Sequence, residues 1–124
     1  MSSQSTTSPL IRPETAADIP AIHALTKRAF HGKPFSDGTE PDLIDALRDA
    51  GALTLSLVAE DAGTILGHVA ISPAIAEDGT NGWYALGPIA VEPSHQRQGI
   101  GGSLIRASME RLTAMNVRGC VLIG

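Results

Sequence analysis

The sequence is poor in the residues that stabilise exported or membrane-bound chains. Cys120 is the only cysteine among 124 residues, which excludes an internal disulfide and disfavours a structural zinc site, so no metal site is predicted. No apolar run approaches the roughly 20 residues that cross a bilayer. Met1–Ser8 is polar, without the apolar stretch of a signal peptide. We expect a cytoplasmic protein with no membrane partner.

Aromatic residues and positive charge are also scarce. The chain has only two Phe, one Trp and one Tyr, so its core must be built mainly from aliphatic side chains. A formal net charge of -4 lacks the basic surface that binds nucleic acid, and no nucleic-acid partner is predicted. An acidic chain can still bind an anion through the backbone amides at the start of a helix.

What the sequence does contain is an ordered series of strand and helix patterns. The predicted elements are, in chain order, strand 10–12, helix 15–30, helix 39–51, strands 55–60, 65–72 and 83–91, helix 99–115 and strand 120–123. This order, β-α-α-β-β-β-α-β, predicts an α+β fold with a mixed, mostly antiparallel sheet flanked by helices, and a parallel crossover at its end. We expect residues 1–8 to be a flexible tail and residues 9–124 to be one domain.

A glycine-rich turn opens the third predicted helix. The first turn of any helix has amide donors without partners, together with partial positive charge from the helix dipole. Glycines at 99, 101 and 102 keep side chains away from those amides, so that a bulky pyrophosphate can approach them. Arg97 adds a charged donor at the same place, and Ser103 adds a hydroxyl.

Two common phosphate-binding loops do not match this turn. A Walker-type loop needs a lysine after its glycines, and no lysine follows Lys33. A dinucleotide-binding loop needs a third glycine where Leu104 stands, and an acidic residue at the end of the next strand. The turn therefore indicates a phosphate site of another kind, or else a tight connection without a ligand.

Pro88 lies in the middle of the strand that precedes the turn. Proline cannot donate to a strand ladder, so the predicted strand 83–91 should bulge or part from its neighbour at this point. A parted strand leaves main-chain groups with which the amides of a ligand can pair. A plain edge strand is the alternative interpretation.

A short motif after strand 83–91 resembles the acetyl-CoA-binding motif of the GCN5-related N-acetyltransferase (GNAT) family. It reads Val91-Glu92-Pro93 and then Gln96-Arg97-Gln98-Gly99-Ile100-Gly101, and the element order from Leu10 onward is similar to that family too. The resemblance implies acetyl-CoA as co-substrate, with its pyrophosphate on the turn and its pantetheine arm along the strand. The residues implied to bind it are Ile89, Ala90, Val91, Gln96, Arg97, Gln98, Gly99, Ile100, Gly101, Gly102 and Ser103.

The resemblance implies transfer of an acetyl group from acetyl-CoA to the amine of a small molecule or peptide. Some family members have a glutamate base near the start of the motif strand, but Ala85 stands at the nearest position here. Tyr84, Glu60 and His31 are candidate catalytic residues by location only. A non-catalytic CoA-binding or interaction domain is the alternative function.

The family pattern also extends further than this sequence. Beyond its fifth strand the family has a helix and two more strands, and the sequence stops at Gly124, before any of them. The resemblance therefore implies a GNAT-like domain that is short at its C-terminus. An uncovered apolar strand at 120–123 would favour self-association, so a homodimer is expected.

Several polar residues also have simpler structural interpretations. Gln96 either contacts the ligand or ties down the turn, and Arg97 either binds phosphate or is a solvated surface charge. His23 and His68 fall within regular elements and are interpreted as packing or surface residues. Cys120, on a predicted apolar strand, is interpreted as a core residue.

Overall fold

A five-stranded sheet forms the centre of the structure, a computed structural model that describes residues 9–34, 36–74, 78–79 and 81–122. The strands lie across the sheet in chain order, with β1 to β4 antiparallel and β5 parallel to β4. They are β1 (Leu10–Pro13), β2 (Leu55–Asp61), β3 (Thr64–Ala74), β4 (Trp83–Val91) and β5 (Gly119–Leu122).

Among the described residues, three α-helices flank the sheet: α1 (Ile19–Phe30), α2 (Glu40–Asp49) and α3 (Ile100–Ala114). The predicted element order and the mixed α+β fold are confirmed. The predicted last strand residue, Ile123, and the predicted tail, residues 1–8, lie outside the described residues. Within the part of the chain that the structure describes, no helix is long and apolar enough to cross a membrane.

Two apolar clusters, one on each face of the sheet, hold the helices in place. The cluster under α1 and α2 consists of Ile22, Leu25, Ala29, Phe30, Ile44, Val58, Ile65, Ala70 and Ala90. The cluster under α3 consists of Leu57, Ala59, Leu66, Val69, Ile71, Leu86, Ile100, Leu104 and Leu112. Since side chains alternate between the faces of a strand, Ala90 points towards α1, whereas Ile89 and Val91 point towards α3.

An ion pair joins β1 to the start of the first helix. The Asp18 carboxylate accepts a hydrogen bond from the Thr15 N–H at 2.7 Å and one from the Arg12 guanidinium at 2.7 Å. The hydrogen bond from Arg12 holds the pKa of Asp18 well below its usual range. A 3-10 turn at Ala16–Asp18 then continues into α1. The predicted cap at Thr15 is therefore confirmed, but it opens the 3-10 turn, and α1 begins at Ile19.

Candidate functional site

Strand β4 bulges at Pro88. Val69 pairs with Ile89 and Ile71 pairs with Leu86, so between these two pairs β4 contains two residues where β3 contains one. The extra residue interrupts the ladder and bends the strand locally. The predicted bulge at the proline is confirmed, and the plain edge strand is excluded.

The edge of β4 that faces away from β3 is paired with another strand only over its first half. β5 pairs with Trp83–Leu86, and no described residue pairs with Ile89 or Val91 on this side. The Glu92 N–H donates to the Leu66 carbonyl at 2.8 Å, so the main-chain groups of Glu92 face β3. Because these groups alternate along an antiparallel strand, those of Ile89 and Val91 face the open edge.

The start of α3 lies beside this open edge. Gly99 precedes the helix with a φ of 86°, a left-handed conformation that favours glycine. The first helical hydrogen bond runs from the Ser103 N–H to the Gly99 carbonyl at 3.0 Å. The amides of Ile100, Gly101 and Gly102 come before that bond, so no helix carbonyl is available to them. They form a set of donors at the positive end of the helix dipole.

The packing of the protein itself does not require the glycines at this helix start. A Cβ built on Gly101 would lie 3.7 Å from its nearest heavy atom, Val91 Cγ2, and one built on Gly102 would lie 3.4 Å from Arg106 Nη1. These are ordinary contacts, and alanine in a helix interior is favoured over glycine by about 1 kcal/mol. The absence of side chains above these amides therefore leaves room for a ligand.

The open edge of β4 and the start of α3 share one cleft of about 440 Å³, a size typical of small-molecule sites. Its lining residues are Ala29, Phe30, Lys33, Ile89, Val91, Gln96, Arg97, Gly99, Ile100, Gly101 and Gly102. Three residues of the predicted binding set, Ala90, Gln98 and Ser103, do not line it. Ala90 instead packs in the cluster under α1.

The wall of the cleft that comes from α1 was not predicted from the sequence. Ala29, Phe30 and Lys33 form this wall, and Lys33 adds positive charge to it. A two-point ion pair joins the end of α1 to the residue after β4: Arg28 Nη2 lies 2.6 Å from Glu92 Oε1, and Arg28 Nε lies 3.2 Å from Glu92 Oε2. The helical period marks Ala29 and Phe30 as buried, but no local signal marks Lys33.

Two polar residues of the predicted set bond within the turn. Gln96 Nε2 donates to the Val91 carbonyl at 3.2 Å, and Ser103 Oγ donates to the Gly99 carbonyl at 3.0 Å. The structural interpretation of Gln96, that its amide ties down the turn, agrees with this contact. Arg97 has a φ of 67°, and it lines the cleft.

None of the three candidate catalytic residues is among the residues that line the cleft. Glu60 lies on β2, two strands away from β4, and forms a 2.6 Å ion pair with Arg12. Tyr84 is half-buried against the cluster under α3. His31 follows α1 and lines a separate cavity of about 190 Å³ near the start of α2. Their catalytic roles stay predictions, and their positions do not support them.

A buried polar chain lies on the α1 face of the sheet. His68 is fully buried on β3, with Nε2 2.7 Å from Ser56 Oγ on β2. Ser56 also bonds to the carboxylate of Glu14, which forms a 2.8 Å ion pair with Arg48 of α2. Burial lowers the pKa of His68 to about 4, so the imidazole is neutral at neutral pH.

The buried imidazole of His68 should make the protein less stable in mild acid. Its pKa is about 4 in the folded chain against 6.5 for an ordinary histidine, so the unfolded state binds more protons between these values. The contribution of the neutral His68 to the free energy of unfolding is complete above about pH 6.5. It falls progressively as the pH is lowered towards about 4, by up to about 3 kcal/mol in total. Urea unfolding at a series of pH values, compared between the parent chain and His68→Gln, measures this contribution. The same pH dependence in both proteins would contradict it.

A mixed sheet that opens beside a bulged strand, with a bare helix start at the opening, defines the acetyltransferase-type class of α+β folds. The chain belongs to the acetyltransferase (GNAT) family, whose model matches residues 19–123. The family resemblance inferred from the motif and the element order is thus confirmed.

Individual proteins similar to this chain are also N-acetyltransferases or GNAT family members by name. The chain is 35% identical over 116 residues to an uncharacterised N-acetyltransferase of Escherichia coli strain K12, YhbS, covering 93% of this chain and 66% of that protein. A crystal structure of a GNAT family acetyltransferase from Brucella melitensis in complex with acetyl-CoA matches with a TM-score of 0.90 and 46% identity, over 94% of this chain and 76% of that one. The crystal structure of E. coli YhbS in complex with CoA matches with a TM-score of 0.86 and 32% identity, over 100% and 67% of the two chains.

The match to YhbS covers most of this chain but a smaller share of YhbS itself. The chain spans 66% of the length of YhbS, the curated relative to which it is 35% identical.

Proposed function

We propose that this protein is an acetyl-CoA-dependent N-acyltransferase that transfers an acetyl group to the amine of a small molecule or peptide. The observation that carries the proposal is the single cleft in which the open edge of β4 meets the bare amides of α3. Two structural relatives support it, since the Brucella protein was solved with acetyl-CoA and E. coli YhbS with CoA.

The residues of the cleft fit such a cofactor. The amides at positions 100–102 would hold the pyrophosphate, because a helix start binds anions and the glycines there leave space. Arg97 and Lys33 add positive charge to the same cleft. The outward main-chain groups of Ile89 and Val91 would pair with the amides of the pantetheine arm, as an added strand would.

Acetyl-CoA supplies an activated acyl carbon, and the protein's own groups orient it. The N–H of Ile89 faces the open edge of β4 and would donate to the thioester carbonyl oxygen, on which negative charge develops during attack. The apolar side chains of Ile89, Val91 and Phe30 would exclude water from the acyl group. The amine must lose a proton to form the amide, so a proton acceptor is required near this point.

Two measurements on the purified chain test this proposal. Acetyl-CoA should raise the thermal unfolding midpoint, because it binds the folded state only. Thiol release from acetyl-CoA should then depend on the amine in a panel of small amines and peptides, and mass spectrometry should detect the acetylated product. Absence of both stabilisation and thiol release at millimolar acetyl-CoA would refute the proposal.

A non-catalytic CoA-binding domain is the second candidate function. It is favoured by the observation that Tyr84, Glu60 and His31 all lie away from the lining of the cleft. This alternative predicts stabilisation by acetyl-CoA without thiol release in the presence of any amine. Steady thiol release by the chain would exclude it.

Further features of the protein stay predictions. The acceptor is proposed only as an amine, since a fold does not specify a substrate. The cytoplasmic location is proposed from the composition of the chain. The homodimer is proposed from β5, where Val121 and Leu122 are 50% and 65% exposed.

A further inference from the structure

The guanidinium of Arg106 lies beside the start of α3, although Arg106 itself belongs to the second turn of that helix. Arg106 Nη2 donates to Ser103 Oγ at 3.2 Å, and a Cβ built on Gly102 would lie 3.4 Å from Arg106 Nη1. Gly102 lines the cleft, and its amide is one of the bare donors of the helix start. Because Arg106 is exposed, its guanidinium stands in solvent at the outer rim of the cleft.

The Ser103 hydroxyl fixes the direction of this guanidinium. Ser103 Oγ donates its one proton to the Gly99 carbonyl at 3.0 Å, so towards Arg106 it acts as an acceptor. The resulting chain runs from Arg106 through Ser103 to Gly99, the residue that precedes the helix. The bond to Ser103 uses one of the several N–H donors of a guanidinium. Ser103, which does not line the cleft, thus holds a charged donor at its rim.

No carboxylate neutralises Arg106 within the part of the chain that the structure describes. Glu110 stands one turn further along α3, at a spacing that can give an ion pair on a helix, yet the two side chains form none. A cation beside the positive end of a helix dipole is unfavourable, so the free chain gains no stability from the charge at this place. A bound anion reverses this, because it is attracted by the guanidinium and the dipole together.

The chemistry of coenzyme A identifies the anion. Its pyrophosphate would lie on the amides at positions 100–102, and its pantetheine arm leads from there into the cleft along β4. The other side of the pyrophosphate carries adenosine, with a further phosphate on the ribose 3′ oxygen, and this end leaves the cleft at the rim. Such a phosphate monoester has a charge of about -2 near neutral pH. It matches an arginine, which can bind two phosphate oxygens at once.

We propose that Arg106 binds the 3′-phosphate of the coenzyme and that Ser103 positions its guanidinium; this inference rests on the proposed function. The protein therefore selects acyl donors that are thioesters of free coenzyme A. Thioesters of 3′-dephospho-CoA, and those of phosphopantetheine attached to a carrier protein, present the same arm to the cleft but lack this phosphate. Arg106 and Ser103 thus determine the specificity for the acyl donor.

Titration calorimetry with CoA and with 3′-dephospho-CoA tests this role. The parent chain should bind CoA about 10-fold more tightly, as expected for a charge-assisted contact with an exposed phosphate. Arg106→Gln should bind both ligands equally, with the Kd for 3′-dephospho-CoA unchanged. Ser103→Ala leaves the guanidinium without its anchor and should keep a preference of only about 3-fold. Arg111→Gln, an exposed arginine in the last turn of α3, removes the same charge and should keep the full preference.

The outcomes separate this inference from the proposed function. Equal Kd values for the two ligands in the parent chain, together with thiol release from acetyl-CoA in the presence of an amine, would overturn the role of Arg106 alone. If Arg106→Gln weakened both ligands to the same extent, the arginine would act on the pyrophosphate, and the inference would be wrong. An unchanged preference in Ser103→Ala would overturn the positioning role of Ser103. A parent chain that neither binds acetyl-CoA nor releases thiol with any amine would overturn the proposed function, and this inference with it.

Discussion

Replacing Gly101 with alanine is expected to raise the Kd for acetyl-CoA about 10- to 100-fold while the chain stays folded. The added methyl group would lie 3.7 Å from Val91 Cγ2, so the protein accommodates it. It would stand over the amides at positions 100–102, where a pyrophosphate must approach. Weakening hydrogen bonds to a charged group costs about 1.5–3 kcal/mol, which corresponds to this range of Kd. Isothermal titration calorimetry measures the change.

The Gly101→Ala variant should be more stable than the parent chain and yet bind acetyl-CoA more weakly. Because alanine favours a helix more than glycine, the free chain should become more stable, by up to about 1 kcal/mol. Thr113→Ala, an exposed substitution near the other end of α3, is the control: it should leave the Kd unchanged. If Gly101→Ala bound acetyl-CoA as tightly as the parent chain, the helix start would not be the pyrophosphate site.

Gly67→Ala should instead destabilise the fold, by about 1–3 kcal/mol. A Cβ at this position on β3 would lie 2.9 Å from Ile100 Cγ2, 3.0 Å from Leu104 Cδ1 and 3.4 Å from the Ala90 carbonyl oxygen. The first distance is too short for real Cβ contacts, so a neighbour must move. Ile100 is the first residue of α3, so the clash pushes the helix that carries the site away from the sheet. Urea unfolding at neutral pH measures the loss.

A second substitution shows whether this clash causes the loss. Ile100→Ala removes the Cγ2 atom that a methyl group on Gly67 would meet. The cost of Gly67→Ala should therefore be smaller in the Ile100→Ala background than in the parent chain. Equal costs in the two backgrounds would mean that the contact with Ile100 is not the cause.

Several local features of the fold and of the site were predictable from the sequence because each depends on a few neighbouring residues. Pro88 lacks an amide hydrogen, and this alone predicts the interruption of β4. The sequence Asp61-Ala62-Gly63-Thr64 is typical of a hairpin turn between two strands, and Ala62 and Gly63 have φ values of 50° and 85° between β2 and β3. The third helix was predicted to run to residue 115, and α3 ends at Ala114, shortly before Asn116, which has a φ of 58°. The glycines at the start of α3 belong to the same group of local signals.

Other parts of the site depend on contacts between distant segments. Gly67 and Gly101 look alike in the sequence, yet their surroundings differ. A Cβ at Gly67 would lie 2.9 Å from Ile100 Cγ2, whereas a Cβ at Gly101 would make an ordinary contact of 3.7 Å with Val91 Cγ2. Lys33 lines the cleft because the end of α1 packs on the sheet through Ala29 and Phe30. No pattern within a few residues of Gly67 or Lys33 predicts these contacts.

The sequence by itself determined the order of the elements, the bulged strand and the bare helix start, and through its motif the family. Only the tertiary structure decided which residues share the cleft, and that Glu14, Ser56 and His68 form one chain across three segments. The physical reason is the separation along the chain between the residues that interact. Helix starts, turns and proline breaks follow from the backbone chemistry of adjacent residues, whereas Ser56 meets Glu14, 42 positions away, only once the strand register and the packing of α2 are established.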